Sequence, residues 1–201
     1  MVSMEQTIQN LKRRGFEARL FETGAQAASA AIAIIGQRSV GFGGSVTLRD
    51  LGIFQRLRAQ GNTAWFARSF SGEEVPNVYE RAQNTQVFLS SANALTETGC
   101  LVNIDGRGNR VAGLAFGHEE AIVIVGKNKL VKDVPEGIRR ARGHAAGLNA
   151  RRLGIPAPCA ADLQCRDCRS PQRLCRSVLI SEGPPTEMKV SVFLVNEDLG
   201  Y

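Results

Sequence analysis

A run of five consecutive apolar residues at positions 121–125 constrains the fold of this chain more than any other feature. The run reads Ala-Ile-Val-Ile-Val, and four of its five residues are β-branched. A strand with one solvent-facing side alternates apolar and polar residues, whereas a strand covered on both sides is apolar throughout. The run therefore predicts a central strand in a sheet that is buried on both faces.

Helical and strand patterns alternate along the rest of the chain. The predicted strands are residues 16–21, 39–42, 63–67, 86–90 and 189–195, and the predicted helices are residues 6–14, 23–36, 43–59, 75–82 and 134–153. Strands that alternate with helices form mainly parallel sheets with helices on both faces. We therefore predict one three-layer α/β domain over residues 1–201, a length that suits a single core.

A polar, glycine-rich block at residues 93–113 predicts a β-hairpin, which adds an antiparallel part to the sheet. The first strand is residues 100–104, and the returning strand is residues 111–116. Asp105 and Gly106 begin the turn between them, because an Asp-Gly pair is a strong turn signal.

The hairpin block carries more polar side chains than its turn requires. We interpret Asn93 and Asn103 as ligand-binding residues and Glu97 as the candidate catalytic carboxylate. The alternative is a purely structural hairpin, whose Asn and Asp side chains only cap their own turns.

A second polar segment, Gly43, Gly44 and Ser45, lies at a strand-to-helix junction. Glycines allow backbone amides to approach an anion, and the start of a helix favours negative charge. These residues are candidate ligand-binding positions, although Ser45 also suits the role of a helix N-cap, which is the commoner use of such a residue.

A third polar segment, Lys127, Asn128 and Lys129, directly follows the predicted central strand. Open α/β sheets bind ligands beyond the carboxyl ends of their strands. Two lysines and an asparagine at this place suit a carboxylate or a phosphate, so the segment is a candidate site for a small anionic metabolite. The alternative is a solvated loop with exposed lysines.

Four of the five cysteines are clustered near the C-terminus with the spacing C-x5-C-x2-C-x6-C. They are Cys159, Cys165, Cys168 and Cys175. Four thiols within 17 residues suit a tetrathiolate metal centre, and the arginines between them would lower the thiol pKa values. The spacing alone leaves iron and zinc open, and leaves unligated or redox-active thiols as the alternative.

The net charge of +6 is concentrated in the same part of the chain. Residues 139–176 contain nine arginines and two aspartates, a charge of +7. Such a segment attracts anions, among them nucleic acid, phosphorylated ligands and anionic metal clusters. It lacks the interleaved aromatic residues of single-strand binders, so we expect no nucleic-acid partner. The alternative is a solvated arginine-rich surface.

The N-terminus has no basic stretch followed by an apolar stretch, so we expect no secretory signal. The longest apolar run, residues 27–35, is far shorter than the roughly 20 residues of a membrane span. We therefore expect a cytoplasmic protein with no membrane partner, a setting that disfavours disulfides.

Four motifs together resemble the lactate-utilization (LUD-domain) family, typified by lactate-utilization protein C. They are the block at residues 93–113, Gly-Phe-Gly-Gly-Ser-Val-Thr at 41–47, Val-Gly-Lys-Asn-Lys-Leu-Val at 125–131 and Asn-Glu-Asp-Leu-Gly at 196–200. The resemblance implies a sugar-phosphate isomerase/CoA-transferase-like α/β fold. It also implies a role in oxidising lactate to pyruvate alongside iron–sulfur partner subunits, and it favours a 4Fe–4S cluster over zinc at the cysteines.

Fold does not determine chemistry, so other functions stay open. One alternative is a stand-alone enzyme or binding protein for an acyl-CoA, a sugar phosphate or a folate, with a structural metal. Another is a zinc-containing module that contacts nucleic acid. Neither the reaction, nor the substrate, nor assembly into a homo-oligomer follows from the sequence.

Overall fold

Six parallel strands form the central sheet. The computed structural model describes residues 2–201, with the backbone alone at residues 68 and 69. The six strands are β1 (Glu17–Phe21), β2 (Val40–Phe42), β3 (Ala64–Trp65), β4 (Val87–Ser90), β7 (Glu120–Gly126) and β10 (Lys189–Val195). Their spatial order is β1-β10-β7-β4-β2-β3, and every neighbouring pair is parallel.

A smaller mixed sheet of four strands lies beside the first. It contains β5 (Ala94–Thr96), β6 (Leu101–Asp105), β8 (Leu130–Val131) and β9 (Ser177–Ser181), in the order β8-β5-β6-β9. Strands β5 and β6 form an antiparallel hairpin, and β6 also pairs antiparallel with β9. The hairpin turn contains Gly99, whose φ of +86° favours glycine.

Helices connect most of the strands. They are α1 (Met4–Arg13), α2 (Gly24–Ile35), α3 (Val46–Asp50), α4 (Ile53–Ala59), α5 (Arg68–Ser71), α6 (Val78–Gln83), α7 (Asn109–Ala115), α8 (Val134–Arg140), α9 (Ala146–Leu153) and α10 (Cys159–Asp162). One π-helical turn, Ala141–Ala145, joins α8 and α9 without a break. Thr23 and Gln26 cap the start of α2 reciprocally in a capping box.

Side chains on the two faces of the central sheet belong to different cores. Ile122 and Ile124 of β7 pack in the core that includes α2 and α4. Val123 and Val125 pack on the opposite face with Leu11 of α1, as well as with strands of the smaller sheet. All seven residues of β7 are buried, and β7 lies between β10 and β4. The predictions of a buried central strand and of a layered α/β fold with a mainly parallel sheet are therefore confirmed.

Two sequence predictions were wrong in detail. The predicted returning strand at residues 111–116 is helix α7, so the hairpin partner of β6 precedes it in the chain as β5. Asp105 explains the difference: its carboxylate accepts hydrogen bonds from the backbone N–H groups of Gly106 and Arg110, and so starts a helix instead of a hairpin turn. The helix predicted at 43–59 is divided into α3 and α4 at Gly52, whose φ is +63°.

Candidate functional site

A cavity of about 630 Å³ lies beyond the carboxyl ends of three neighbouring strands. Residues that follow β2, β4 and β7 form its floor, among them Thr47, Ser91 and Lys129. The π turn and α9 form part of its wall. Cavities of a few hundred to a thousand Å³ at this place in an α/β sheet are the usual sites for small molecules.

The lining of this cavity is strongly basic. Six basic side chains and one acidic side chain contribute to it: Arg107, Arg110, Lys129, Arg152, Arg173, Arg176 and Asp105. Guanidinium groups bind carboxylates and phosphates through paired, directional hydrogen bonds. The lining of the cavity therefore has the charge and the donor groups that suit an anion.

Lys129 is the most unusual residue of the cavity, because it is only 2% exposed. Its Nζ donates hydrogen bonds to Thr47 Oγ1 at 2.9 Å and Ser91 Oγ at 3.0 Å, and no carboxylate of the described residues pairs with it. Burial, and then the positive charges of Arg140 and Arg110, lower the pKa of Lys129 from 10.5 to about 7. This lysine therefore changes charge near neutral pH.

Arg110 lies beside Asn93 in the cavity wall. Its Nη2 donates hydrogen bonds to the Ile104 carbonyl and, at 3.4 Å, to Asn93 Oδ1. Its Nε lies 3.8 Å from the Asp105 carboxylate. The structure gives no hydrogen bond between Nη1 and any described residue, so that nitrogen is available to a ligand.

In the segment at residues 43–45, Gly43 and Gly44 leave room for neighbouring side chains because they have no Cβ atom. A Cβ atom at Gly43 would lie 2.8 Å from Cγ of Arg110, and one at Gly44 would lie 3.0 Å from the Phe70 ring. Ser45 accepts a hydrogen bond from the backbone N–H of Leu48 and so caps α3. Gly44 and Ser45 line the cavity, whereas Gly43 supports the position of Arg110.

The third predicted segment is divided between two roles. Lys129 lines the cavity and is buried, contrary to the alternative of a solvated loop with exposed lysines, whereas Lys127 and Asn128 do not line the cavity. Lys127 is exposed and donates to Asn196 Oδ1 at 3.2 Å. Asn128 accepts from the Leu199 N–H and donates to the Gly200 carbonyl, and so fastens the C-terminal segment beside the cavity.

Glu97 and Asn103 do not line the cavity. The Glu97 carboxylate accepts a hydrogen bond from the backbone N–H of Ser3, and its carbonyl accepts one from Asn10 of α1. Asn103 is fully buried in β6, opposite Leu179 of β9, and neither atom of its amide has a partner among the described residues. Of the three residues predicted as site residues in the block at 93–113, which are Asn93, Glu97 and Asn103, Asn93 is the one that lines the cavity.

All four clustered cysteines line a second, smaller cavity of about 20 Å³. Among the described residues, however, no group of three or more Cys, His, Asp or Glu side chains lies close enough together to hold a metal ion. The four residue types are those of a tetrathiolate centre and they border one space, but in this structure their side chains are not gathered as a metal-holding group. Cys100 is buried in the core, away from this cavity, as expected.

For two of the four thiols, those of Cys159 and Cys175, the pKa is raised, contrary to the expectation that the arginines would lower it. Arg173 donates to the carbonyls of Cys168 and Cys175, and Arg166 pairs with Asp162. Burial and neighbouring thiolates raise the pKa of Cys175 to about 11, and outweigh the opposite effect of Arg173 and Arg142. Burial is also the main cause that raises the pKa of Cys159.

The two cavities adjoin one another. Ala146, Arg173, Leu174 and Cys175 line both. The π turn lies between them, with Ala141 and Ala145 on the larger cavity and Arg142 on the smaller one. π turns often occur at functional sites, since they displace side chains from the regular helical pattern.

Several residues of the larger cavity were not predicted from the sequence. Ser91, Arg110, Arg152 and Tyr201 are the main ones. The Tyr201 hydroxyl is 3.0 Å from Nε of Arg152 and donates to Asn149 at 2.8 Å. Arg110 lies within the motif at residues 93–113, and Tyr201 directly follows the motif at residues 196–200. This nearness to the motifs is the one sequence signal that pointed to these two residues.

Comparison with known proteins identifies the family. The family model named LUD domain matches residues 4–195. The chain belongs to the LUD-domain family. Its fold is also similar to the crystal structure of a DUF162 family protein from Deinococcus radiodurans, with a TM-score of 0.55 and 14% sequence identity over 96% of this chain and 95% of that chain. At that identity the likeness concerns the fold alone. A comparison with curated proteins gave no match.

Family membership supports a role related to lactate utilization. Within the described part of the chain, no helix has the length and apolar character needed to cross a membrane.

Proposed function

We propose that this protein takes part in lactate utilization, the oxidation of lactate to pyruvate, by binding a small carboxylate in the larger cavity. It works in the cytoplasm with iron–sulfur partner subunits that accept the electrons. The observation that carries the proposal is the lining of the cavity, with six basic side chains and one acidic side chain. Lactate and pyruvate are both monoanions, so they suit such a lining.

Two guanidinium groups have donors free for the carboxylate. Arg107 stacks on the Tyr79 ring at 4.3 Å, and no carboxylate of the described residues pairs with it. Arg110 has the unbonded Nη1 described above. Asp105, the one acidic residue of the lining, already accepts backbone hydrogen bonds from Gly106 and Arg110. An added carboxylate therefore meets Arg107, which no described carboxylate pairs with, and the free Nη1 of Arg110.

The cysteine cluster binds a metal centre in this proposal, a 4Fe–4S cluster, with zinc as the alternative. Cys159, Cys165, Cys168 and Cys175 would hold it, and a cluster would supply one-electron chemistry beside the ligand cavity. Arg142 supports an anionic centre there: it lines the smaller cavity, and its buried Nε has no partner among the described residues. Arg173 also stays beside the cysteines, because its guanidinium group donates hydrogen bonds to the backbone carbonyls of Cys168 and Cys175.

Ligand binding is tested by thermal unfolding with lactate, pyruvate and chloride as separate additions. A ligand that binds the folded state raises the melting temperature with its concentration. We expect lactate and pyruvate to raise it in the wild type, and Arg107→Ala to weaken the response. Lys127→Ala is the matched control, since Lys127 is exposed and outside the cavity. Equal responses to chloride and to the two acids would count against a specific carboxylate site.

The metal is tested by anaerobic purification, followed by metal analysis and a visible spectrum. A brown protein with iron and sulfide supports the 4Fe–4S form, and a colourless protein with zinc supports the alternative. Cys168→Ser should lower the metal content, whereas Cys100→Ser should leave it unchanged. Protein that retains no metal and titrates with five ordinary thiols would remove the metal from the proposal.

One observation favours a second function, the binding of a larger anion. A cavity of about 630 Å³ has room for far more than a three-carbon acid. An acyl-CoA, a sugar phosphate or a folate would fill more of it, and the metal would then be structural. The same thermal unfolding assay decides between the two functions. At equal concentration, the compound class that raises the melting temperature more is the one that the cavity binds better.

A further inference from the structure

The hydrogen bonds of Lys129 match an uncharged amine. Its Nζ donates to Thr47 Oγ1 and to Ser91 Oγ. The Thr47 hydroxyl donates in turn to the Leu199 carbonyl at 3.2 Å, and the Ser91 hydroxyl points to the Ala92 carbonyl at 3.5 Å. Both hydroxyl protons are therefore directed away from Nζ, and both oxygens act as acceptors towards it.

An ammonium group has three protons, and the described surroundings of Nζ accept two. A third proton on a side chain that is 2% exposed would be buried without a partner, which is costly. An amine has two N–H groups and one lone pair. Two donors then meet two acceptors, and the lone pair of Lys129, a residue of the cavity lining, has no donor directed at it among the described residues.

We infer that Lys129 is a nucleophile that captures the carbonyl group of a 2-oxo acid, such as pyruvate, as an imine. This inference rests on the proposed binding of a carboxylate in the same cavity. Lysines become nucleophilic when they are buried or lie near other positive charges. Both conditions hold, because burial, Arg140 and Arg110 lower the pKa of Lys129 to about 7.

The positive charge beside Lys129 selects for a 2-oxo acid among carbonyl compounds. In such an acid the carboxylate is attached directly to the carbonyl carbon. Arg110 lines the same cavity as Lys129, and its Nη1 has no hydrogen-bond partner among the described residues. A carboxylate bound at Arg110 would bring its adjacent carbonyl carbon into the cavity that Lys129 lines.

The reaction requires no oxidant or reductant. The lone pair of Nζ attacks the carbonyl carbon, a C–N bond forms as the carbonyl π bond breaks, and one of the two amine protons moves from nitrogen to the oxygen. The resulting carbinolamine then loses that hydroxyl group together with a proton from nitrogen, as one molecule of water. The products are an imine and water. The hydroxyls of Thr47 and Ser91, at 2.9 and 3.0 Å from Nζ, lie where they can pass these protons.

The test is reductive trapping of the full chain. The protein is incubated with pyruvate and cyanoborohydride near pH 7.5, and the intact mass and the modified peptide are measured. The chain has five lysines, and the four others are exposed, so none of them is buried in the cavity as Lys129 is. We expect one adduct, with the mass of pyruvate less one oxygen atom, located on Lys129.

Three controls separate the outcomes. Lactate has a hydroxyl in place of the carbonyl, so it should give no adduct. Lys129→Met should abolish the adduct, and Lys127→Arg should keep it. Peptide mapping of the wild-type protein gives the answer even if Lys129→Met folds poorly.

An adduct spread over exposed lysines, or none at all, would overturn the inference. If pyruvate gives no adduct but still raises the melting temperature, Lys129 is a charged anchor and the proposed function stands without imine chemistry. If pyruvate neither reacts nor raises the melting temperature, the proposed carboxylate site fails as well.

Discussion

Replacing Lys129 with Met should change the pH dependence of stability, because methionine has a similar length and no charge. The pKa of Lys129 is about 7 in the folded state and 10.5 in the unfolded chain. Between these values the unfolded chain binds more protons, so the free energy of unfolding rises with pH. Each pKa unit is worth about 1.4 kcal/mol, so the full effect is about 5 kcal/mol and acts against folding at neutral pH.

Between pH 7 and pH 9 this residue alone should raise the wild-type unfolding free energy by about 2 kcal/mol. The measurement is urea unfolding of both proteins at pH 7, 8 and 9, in a buffer without small carboxylates. Lys129→Met should be more stable relative to the wild type at pH 7 than at pH 9. The two lost hydrogen bonds to Thr47 and Ser91 lower the stability of the variant by an amount that does not vary with pH, so the trend isolates the charge.

Other charged groups near the cavity do not affect this comparison. Arg110, Arg140, Asp105 and Tyr201 are present in both proteins, so the two proteins differ only at residue 129. Lys127→Met is the matched control, since that lysine is exposed, and it should show no such trend. A difference between the wild type and Lys129→Met that stays constant from pH 7 to 9 would mean that Lys129 keeps its proton in the folded protein, and the reasoning about its burial would be refuted.

Three further predictions concern other parts of the molecule. Gly113→Ala should lower the free energy of unfolding by about 1–3 kcal/mol, because the new Cβ would lie 2.6–2.7 Å from three atoms of the buried Phe88 ring. Denaturant unfolding measures this loss, and adding Phe88→Leu to the same chain should recover part of it. Asn103→Leu should raise the unfolding free energy by about 1–3 kcal/mol by removing an unpartnered buried amide; no gain in the same assay would indicate that the amide has a partner. Gel shifts with duplex and single-stranded DNA at low salt should show little binding, whereas tight, salt-sensitive retention would give the arginine segment a nucleic-acid role.

Local patterns were sufficient to predict most of the central sheet and its helices. The apolar run in β7 and the Thr23 cap depend on residues within a few positions of each other, which a sequence displays directly. Helix α7 did not follow from such patterns. The Asp105-Gly106 turn signal predicted a returning strand from Val111, but the Asp105 carboxylate accepts a hydrogen bond from the Arg110 N–H in the first turn of α7.

The candidate site was predicted only in part, because its important contacts join distant parts of the chain. The sequence indicated that Lys129 follows a strand at the binding edge of the sheet. Its burial depends on Thr47, Ser91 and Gly200, which come from three other segments. The positions of Glu97 and Asn103, similarly, depend on α1 and β9, which no local pattern connects to them.

The position of β10 in the central sheet has a consequence for folding. Although β10 is the last strand in the chain, it lies between β1 and β7 and pairs with both. During synthesis the first strand therefore has no partner in the sheet until residues 189–195 emerge. Pairings between such distant segments are slow to form and leave strand edges exposed meanwhile. Since Tyr201 follows β10 and lines the cavity that Lys129 also lines, this cavity is complete only after β10 has joined the sheet.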